Sequence, residues 1–518
     1  MIVKGLIKTG EYYDSVTLML VAKELNKTNG VIDSAVVMGT NENKSILKAS
    51  NMLLPEFDNA KDADLLIAIK AENADLLEKA FKQLDAVFLS FRKKNDSSSG
   101  ASFAPKSFDG ALEQMPEANL SLISVAGKYA TREAMKALKN GLHVMMFSDN
   151  VSVADEIKMK KFAAEKNLFV MGPDCGTAII NGVPLAFANV IDRGNVGIVA
   201  ASGTGLQEVS CVIGNEGAGI SQAIGTGGRD VKKDVGGIMF LQAMKALNED
   251  DETKIIVLVS KPPHADVQTK IAEEVKKIKK PVVAILIGGN PQVLKDAGAI
   301  TANTLEEAGK IAAALSKGQN VAEIMSAIEN HKTVIRKQAS DLAKTCEGKY
   351  VRGLFSGGTL CDETQLIYKD IIGFVHGNAP LNEDLKLKDL WKSEANTIVD
   401  MGEDEFTVGR PHPMIDFSLR NKRLLEEAAG KDVAVILLDV VLGFGSNMTP
   451  AEELSPVIAK AKQLAPKKHI ICSITGTKND PQNKEHVKRE LEKAGAIVLS
   501  SNAEASLLSG LIIKEKTN

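Results

Sequence analysis

The stretch GNVGIVAASGTG, Gly194–Gly205, is an apolar run that ends in a Ser-Gly-Thr turn, and KYVRGLFSGGTL, Lys349–Leu360, repeats that design. Each apolar run is short enough to be a buried strand, and the residues after each turn are compatible with a helix. In such a turn, glycine lets a ligand approach the backbone, the hydroxyls cap the helix, and the unpaired amides attract an anion. The two stretches together therefore predict one anionic group held between two helix N-termini.

The same landmarks follow both turns in the same order. Each turn is followed by a buried strand, by a second apolar run and by an Ala-Gly-Ala-Ile segment, at Ile255–Ser260, Pro281–Ile287 and Ala297–Ile300, and at Val433–Val441, His469–Thr475 and Ala494–Ile497. The sequence therefore predicts an internal duplication of an α/β unit. The alternative is that small α/β domains share glycine-rich turns by chance, and it leaves the common order unexplained.

Composition excludes several functional classes. The 518 residues are 44% hydrophobic and 25% charged, which suggests a globular chain of three or four domains. A net charge of -3 and only 4% aromatic residues argue against a nucleic-acid-binding protein. No apolar run is long enough to cross a bilayer and no leader is visible, so we expect a cytoplasmic protein with no membrane partner. The five cysteines are scattered and predict neither a disulfide framework nor a metal site.

The order of elements predicts an α/β protein of four domains. Residues 1–93 predict a ferredoxin-like α+β module that includes a short helix near 44–50, a helix at 74–86 and a further segment, Val87–Phe91. A polar linker follows at 93–100. Residues 103–192 predict a Rossmann-like domain of the type that binds coenzyme A (CoA), and residues 193–320 and 345–518 predict two flavodoxin-like domains. A helix at 322–342 connects these last two domains.

Two features of the Rossmann-like stretch bear on ligands. It lacks a glycine-rich phosphate turn after its first strand, which argues against CoA binding there. It ends in an irregular loop with Gly172, Pro173, Asp174 and Cys175 at the carboxyl end of a strand, where α/β sheets place ligands.

Several of these motifs resemble a known family. The loop at 172–176, the turn at 202–204 and Gly225–Asp230 follow the pattern of the α subunit of succinyl-CoA synthetase. The turn at 356–359 and the segment Asp439–Gly445 resemble the ligase domain of its β subunit, fused here on one chain. The fusion, together with the segment at 409–416, resembles the FdrA family.

The resemblance implies a subunit of an enzyme, a carbamoyltransferase of anaerobic purine and allantoin breakdown, in which oxalurate and phosphate give oxamate and carbamoyl phosphate. The substrates would be small anions, and companion subunits and self-association are expected. In the synthetase a loop histidine carries the phosphoryl group, whereas Gly288–Gln292 here contains no histidine. The alternatives are an acid–thiol ligase without the phosphohistidine and a non-catalytic regulatory or scaffold protein. No cofactor or metal is predicted with certainty.

The predicted site residues fall into two groups. His412 lies between two prolines beside Arg410. The prolines could fix the loop so that the imidazole faces a carboxylate or phosphate, or His412 could form hydrogen bonds that only maintain the loop's shape. For Arg229, a role toward substrate and a local ion pair compete. These three residues are the catalytic candidates. The predicted phosphate- or substrate-binding residues are Gly172, Pro173, Asp174, Cys175, Ser202, Gly203, Thr204, Gly227, Gly228, Ser356, Gly357, Gly358, Thr359, Asp416, Gly443 and Gly445.

Overall fold

The computed structural model describes residues 1–11, 13, 15–40, 43–44, 47–48, 52–96, 105, 107–407 and 411–517. Within these residues the chain divides into two compact units. The first unit comprises Met1–Asn119 with Glu403–His412, and the second comprises Leu120–Gly402 with Pro413–Asn518. Residues 97–100 of the predicted linker and most of the predicted helix near 44–50 lie outside the described residues.

The first unit is a small α+β module, as the sequence predicts. Its elements are β1 (Ile2–Lys8), α1 (Ser15–Asn26), β2 (Val31–Met38), a 3-10 turn (Pro55–Phe57), β3 (Leu65–Ala71), α2 (Ala74–Asp96), α3 (Phe108–Gln114) and a short helix (Asp404–Thr407). Strand β3 lies between β1 and β2 and is antiparallel to both. Since β1 and β2 then run in the same direction, β1, α1 and β2 form a split βαβ unit.

Helix α2 is longer than the sequence predicts. It does not end at residue 86 but continues to Asp96, so the segment at 87–91 is helical. The reason is that Leu77, Leu84 and Phe88 recur at helical spacing and are all buried in the cluster that includes β3. A strand at 87–91 would break this packing.

The second unit begins with a parallel sheet of three strands. Its elements are β4 (Leu120–Ile123), α4 (Gly127–Lys139), β5 (His143–Met146), α5 (Val153–Glu165) and β6 (Val170–Met171). The strands lie in the order β4-β5-β6 and are parallel. Alternation of strand and helix with a parallel sheet is the predicted Rossmann-like arrangement.

A sheet of seven strands follows in the order β13-β12-β11-β9-β10-β7-β8. Its elements are β7 (Thr177–Ile180), β8 (Val183–Ala186), β9 (Arg193–Ala201), α6 (Gly203–Asn215), β10 (Ile220–Gly225), α7 (Ile238–Glu249), β11 (Ile255–Ser260), α8 (Ala265–Val275), β12 (Val282–Leu286), α9 (Pro291–Asp296), β13 (Ile300–Thr301) and α10 (Leu305–Ser316). The hairpin β7–β8 turns at Asn181 and Gly182, whose φ angles of 50° and 80° suit a two-residue hairpin turn. Because β7 pairs with β10, this sheet extends upstream of residue 193.

A third sheet has five parallel strands in the order β15-β14-β16-β17-β18. After the long helix α11 (Val321–Thr345) come β14 (Tyr350–Phe355), α12 (Gly358–Ile371), a 3-10 turn (Glu383–Leu385), β15 (Thr397–Asp400), α13 (Ser418–Ala429), β16 (Val433–Val441), α14 (Pro450–Leu464), β17 (His469–Thr475), α15 (Lys484–Lys493), β18 (Ile497–Leu499) and α16 (Asn502–Thr517). Strand β16 is buried along its whole length, as its apolar run predicts.

The duplication predicted from the sequence is visible in the topology. The run of neighbours β9-β11-β12-β13 in one sheet corresponds to β14-β16-β17-β18 in the other. One buried apolar cluster joins the two halves and includes residues of both sheets and of helices α6, α10, α12 and α16. The two halves therefore share a core, and the helices that follow the two predicted turns belong to it.

Candidate functional site

The two predicted turns are neighbours in space. Ser202 lies between β9 and α6, and its hydroxyl accepts a hydrogen bond from the amide of Gly205 at 3.1 Å. The same hydroxyl lies 2.8 Å from the hydroxyl of Thr359 in the first turn of α12. The starts of the two helices thus meet through a direct hydroxyl contact between positions far apart in the sequence.

The contact has an approximate internal symmetry. A Cβ at Gly205 would stand 3.1 Å from Cγ2 of Thr359, and a Cβ at Gly357 would stand 3.0 Å from Cγ2 of Thr204. At each helix start, a glycine therefore packs against the threonine of the other helix start. The approach is close enough that glycine is the residue that fits at both positions.

At the second turn, the backbone amides are already bonded to a carboxylate of the chain. Asp439, within β16, accepts hydrogen bonds from the amide of Ser356 at 2.8 Å and from the amide of Gly357 at 2.7 Å. The Ser356 hydroxyl contacts both carboxylate oxygens at 3.0 Å. These two predicted binding residues thus use their amides on Asp439 rather than on an open position.

Arg420 lies behind this carboxylate on helix α13. Its Nη1 donates to Oδ1 of Asp439 at 2.9 Å and to the Asp439 carbonyl at 2.7 Å, and both side chains are fully buried. Its guanidinium also stacks 4.5 Å from the ring centroid of Phe417. Burial lowers the pKa of Arg420, and the adjacent Asp439 opposes that shift.

The start of α12 is surrounded by charged side chains of both signs. Asp400 and Lys261 both approach Gly358, because a Cβ there would stand 2.5 Å from Oδ2 of Asp400 and 3.0 Å from Nζ of Lys261. Burial lowers the pKa of Lys232, the nearby charge of Lys261 lowers it further, and Asp362 opposes these effects. Lys261 therefore lies beside the start of α12.

The first turn is more open than the second. Gly203 is exposed, and the nearest atom to a Cβ at this position would be the Thr177 hydroxyl at 4.0 Å. A Cβ at Gly228 would meet nothing within 4 Å. Since Ala200 pairs with Gly225, both glycines lie at the carboxyl ends of neighbouring parallel strands, β9 and β10. This edge of the sheet is where α/β proteins bind ligands.

The structure also brings the first predicted loop to this edge. A Cβ at Gly227 would stand 2.4 Å from the carbonyl oxygen of Pro173, so the loop at 172–175 packs directly on the glycine turn after β10. Gly172, Asp174 and Gly227 all have positive φ angles. Burial raises the pKa of the Cys175 thiol to about 12, which leaves it a protonated core residue.

Arg229 forms the local ion pair that was one of its two predicted roles. Its Nε lies 2.9 Å from Glu156, and its Nη1 donates to the carbonyl of Val151 at 2.9 Å. Glu156 in turn pairs with Lys160, which also bonds Asp230 at 2.8 Å, and these three side chains are fully buried. The network ties helix α5 to the turn that contains Gly227 and Gly228.

The remaining predicted residues have other contacts. Asp416 accepts from the amide and hydroxyl of Ser418, at 3.0 and 2.8 Å, at the start of helix α13. Gly443 lies against the backbone of Ala188, and Gly445 lies against the ring of Phe187. His412 belongs to the first unit, and Arg410 lies outside the described residues. Their predicted catalytic roles stay predictions.

Two glutamates, one on each of the paired helices, accept hydrogen bonds from backbone amides in the other half of the repeat. Glu208 of α6 accepts from the amide of Asn502, at the start of α16, at 3.2 Å. Glu363 of α12 accepts from the amide of Leu305, at the start of α10, at 2.7 Å, and from the Asn502 side chain at 2.7 Å. Burial raises the pKa of Glu363 to about 8.

Sequence reasoning did not name Asp439 or Lys261 as site residues, although both leave a signal in the sequence. Asp439 interrupts the otherwise apolar run of β16, and Lys261 directly follows β11. A charge inside or just after a buried strand must find a partner, because an unpaired buried charge is costly. That argument identifies the residue but not its partner.

Three other observations concern the cysteines, possible metal ligands and the apolar character of the helices. The five cysteines are all free and buried. In the described part of the chain, no group of three or more histidine, cysteine, aspartate or glutamate side chains is placed to hold a metal ion. Among the described helices, none combines the length and apolar character needed to cross a membrane.

Comparison with known proteins agrees with this architecture. Residues 354–512 match the family model described as CoA-ligase, and residues 192–288 match that of a CoA binding domain. The second match falls on the seven-stranded sheet, so the CoA-binding character predicted for residues 103–192 stays a prediction. Residues 1–105 match a model described as AllF, heavy metal-associated domain.

Curated relatives fall into two sets. The α subunit 1 of ADP-forming succinate–CoA ligase from Archaeoglobus fulgidus is 31% identical over 216 residues, 40% of this chain and 72% of the relative. The corresponding Staphylococcus aureus subunit is 29% identical over 211 residues, 40% of this chain and 65% of the relative. The protein YahF of Escherichia coli, whose name carries the word uncharacterized, is 41% identical over 517 residues, 98% of each chain.

The fold and these matches define a class, the succinyl-CoA synthetase-like proteins in which CoA-binding and CoA-ligase domains are fused on one chain. Within that class the chain belongs to the same family as YahF of Escherichia coli.

Proposed function

We propose that the chain is a cytoplasmic enzyme or enzyme subunit of the acid–thiol ligase type, which holds the phosphate or carboxylate group of its substrate where α6 and α12 meet. The observation that supports this proposal is the 2.8 Å contact between Ser202 and Thr359. It brings together the starts of two duplicated helices in a protein whose relatives include succinate–CoA ligase subunits.

Electrostatics favours an anion at this point. Each helix start carries a partial positive charge, so two facing starts repel each other unless negative charge lies between them. Asp439 supplies that charge at α12. At α6 the exposed Gly203 leaves room for an external anion, and Lys261 adds a positive charge near the same point.

The hydroxyl pair also suits an anion. Ser202 and Thr359 share one hydroxyl hydrogen between them, which leaves the other hydroxyl hydrogen for a further acceptor. A hydrogen bond from a hydroxyl to a charged oxygen is stronger than one to a neutral oxygen. Phosphate would then be held without a covalent carrier, in keeping with the absence of histidine from the loop at 288–292.

The purified chain, alone and with companion subunits, should convert an acyl phosphate and CoA to the acyl thioester and inorganic phosphate. Coupled release of thioester and phosphate is the measurement. Calorimetric titration with CoA is the control for binding without turnover. Phosphate binding without CoA binding or thioester formation would contradict the ligase proposal and leave only an anion site.

A second candidate function is carbamoyl transfer, in which oxalurate and phosphate give oxamate and carbamoyl phosphate. It is favoured by a site suited to free phosphate together with a loop, Gly288–Gln292, that lacks a phosphohistidine. The same preparations supplied with oxalurate and phosphate distinguish the two candidates. Release of oxamate and carbamoyl phosphate, without any requirement for CoA, would replace the ligase proposal.

A further inference from the structure

We infer that Asp439 is a positioning residue whose carboxylate is a resident anion, meaning a negative charge of the chain itself that permanently fills the start of α12. The start of α6 is then the one that receives the substrate's anionic group. The inference rests on the proposed function, because it decides which half of the paired helix starts holds the ligand.

The first argument is the set of donors around Asp439. The amides of Ser356 and Gly357, the Ser356 hydroxyl and Nη1 of Arg420 all lie within 3.0 Å of its carboxylate oxygens. Both oxygens act as acceptors, and the guanidinium is a permanent cation. The amides of Ser356 and Gly357 at the start of α12 thus already have an acceptor within the chain.

The second argument is that the two halves differ at this position. Ser202 and Gly357 correspond, because each is the residue that immediately precedes the first helical residue of its helix. Thr204 and Thr359 each lie two positions further on and make the reciprocal contacts described above. The internal duplication therefore fixes which residues of the two halves are equivalent.

Strand pairing extends this correspondence to Asp439. Three positions before the capping residue, the partner on the neighbouring strand is Leu258 in the first half and Leu438 in the second. The next residue is Val259 in the first half and Asp439 in the second. Val259 is fully buried, and its Cγ1 would lie 3.1 Å from a Cβ at Gly205. The first half thus has an apolar residue where the second half has the resident anion.

The consequence is an unequal pair of helix starts. Asp439 satisfies the amides of one start and holds the backbone at 356–357 in the geometry that presents Thr359 to Ser202. The start of α6 has no corresponding carboxylate on its neighbouring strand. We therefore expect the chain to bind one external anion, with Asp439 acting through the position of α12 rather than by contact with the ligand.

Formate tests this inference because it can replace the missing carboxylate of an Asp439→Ala variant. The variant should have a lower melting temperature than the unaltered protein. Its affinity for inorganic phosphate should be about tenfold weaker, the loss expected for one charge-assisted hydrogen bond. Formate should restore part of both losses. Formamide, which has a similar size but no charge, should restore neither, and sodium chloride at equal concentration controls for ionic strength.

Asp250→Ala is the matched control, since Asp250 also bonds a backbone amide and a side-chain hydroxyl, those of Glu252 and Thr253. It should lose stability without any change in phosphate affinity and without rescue by formate. If Asp439→Ala does not fold because Arg420 is left unpaired, the double variant Asp439→Ala with Arg420→Leu allows the same measurements.

Several outcomes separate this inference from the proposed function. Equal rescue by formate and formamide, or unchanged phosphate affinity in Asp439→Ala, would overturn the positioning role. If the unaltered protein binds no phosphate while formate alone restores the melting temperature, the proposed function fails and Asp439 as a resident anion stands.

Discussion

Replacing Arg420 by methionine should lower the free energy of unfolding by about 3–5 kcal/mol, the usual cost of removing one partner of a buried ion pair. Arg420 and Asp439 are both fully buried and joined at 2.9 Å, so the substitution leaves a carboxylate without its counter-charge. Urea denaturation of the purified protein measures the effect.

The control for this substitution is Arg489→Met. Arg489 is 60% exposed and pairs with Glu490, and exposed pairs contribute about 1 kcal/mol or less. Adding Asp439→Asn to Arg420→Met should recover part of the lost stability, because the unpaired charge is then removed. A loss in Arg420→Met no larger than in Arg489→Met would contradict the assigned role of the buried pair.

Stability should also fall as the pH rises toward 8, because of Glu363. Burial raises the pKa of Glu363 from 4.5 to about 8, so the folded protein binds this proton more tightly than the unfolded chain. Its contribution to stability is fully present below about pH 4.5 and is lost as the pH rises through 8. Between these values one such group lowers the free energy of unfolding by up to about 1.4 kcal/mol per pH unit.

Glu363→Gln should remove this dependence. Denaturant unfolding at about pH 5, 6.5 and 8 should show a flatter slope in the variant than in the unaltered protein. Some slope should remain, because burial and the charge of Glu504 raise the pKa of Glu306 to about 7. Glu329→Gln on the exposed face of α11 is the control and should not flatten the slope. Identical slopes for Glu363→Gln and the unaltered protein would refute the prediction.

Local sequence patterns predict most of the fold of the second unit. The apolar run of β16 has the predicted bounds, and the repeated turns correctly predict that the starts of α6 and α12 are neighbours. The hairpin β7–β8 was not predicted, although Asn181 and Gly182 form a strong turn signal. The predicted end of helix α2, at residue 86, was wrong. A short apolar segment such as 87–91 fits either a strand or a helix until its packing is known.

The charged contacts of the site could not be predicted in the same way. Asp439 bonds the amide of Ser356, 83 positions away. Arg229 pairs with Glu156 on helix α5, which connects two strands of a different sheet. No spacing rule connects residues whose contact depends on how sheets and helices pack. The symmetry of the repeat is itself misleading here, because it predicts that both turns offer open amides to one anion, whereas the amides of Ser356 and Gly357 in the second turn are bonded to Asp439.

Calorimetric titration of inorganic phosphate tests most directly the central claim that the starts of α6 and α12 form one anion site. The proteins to compare are the unaltered chain, Ser202→Ala, Thr359→Val and the double variant. Ser418→Ala is the control, since its hydroxyl bonds Asp416 at a different helix start.

We predict one phosphate per chain and comparable losses of about five- to tenfold in each single variant, the value of one hydrogen bond. The loss in the double variant should be smaller than the product of the two, because the groups share one ligand. Absence of phosphate binding, or two sites whose losses are independent and additive, would contradict the account.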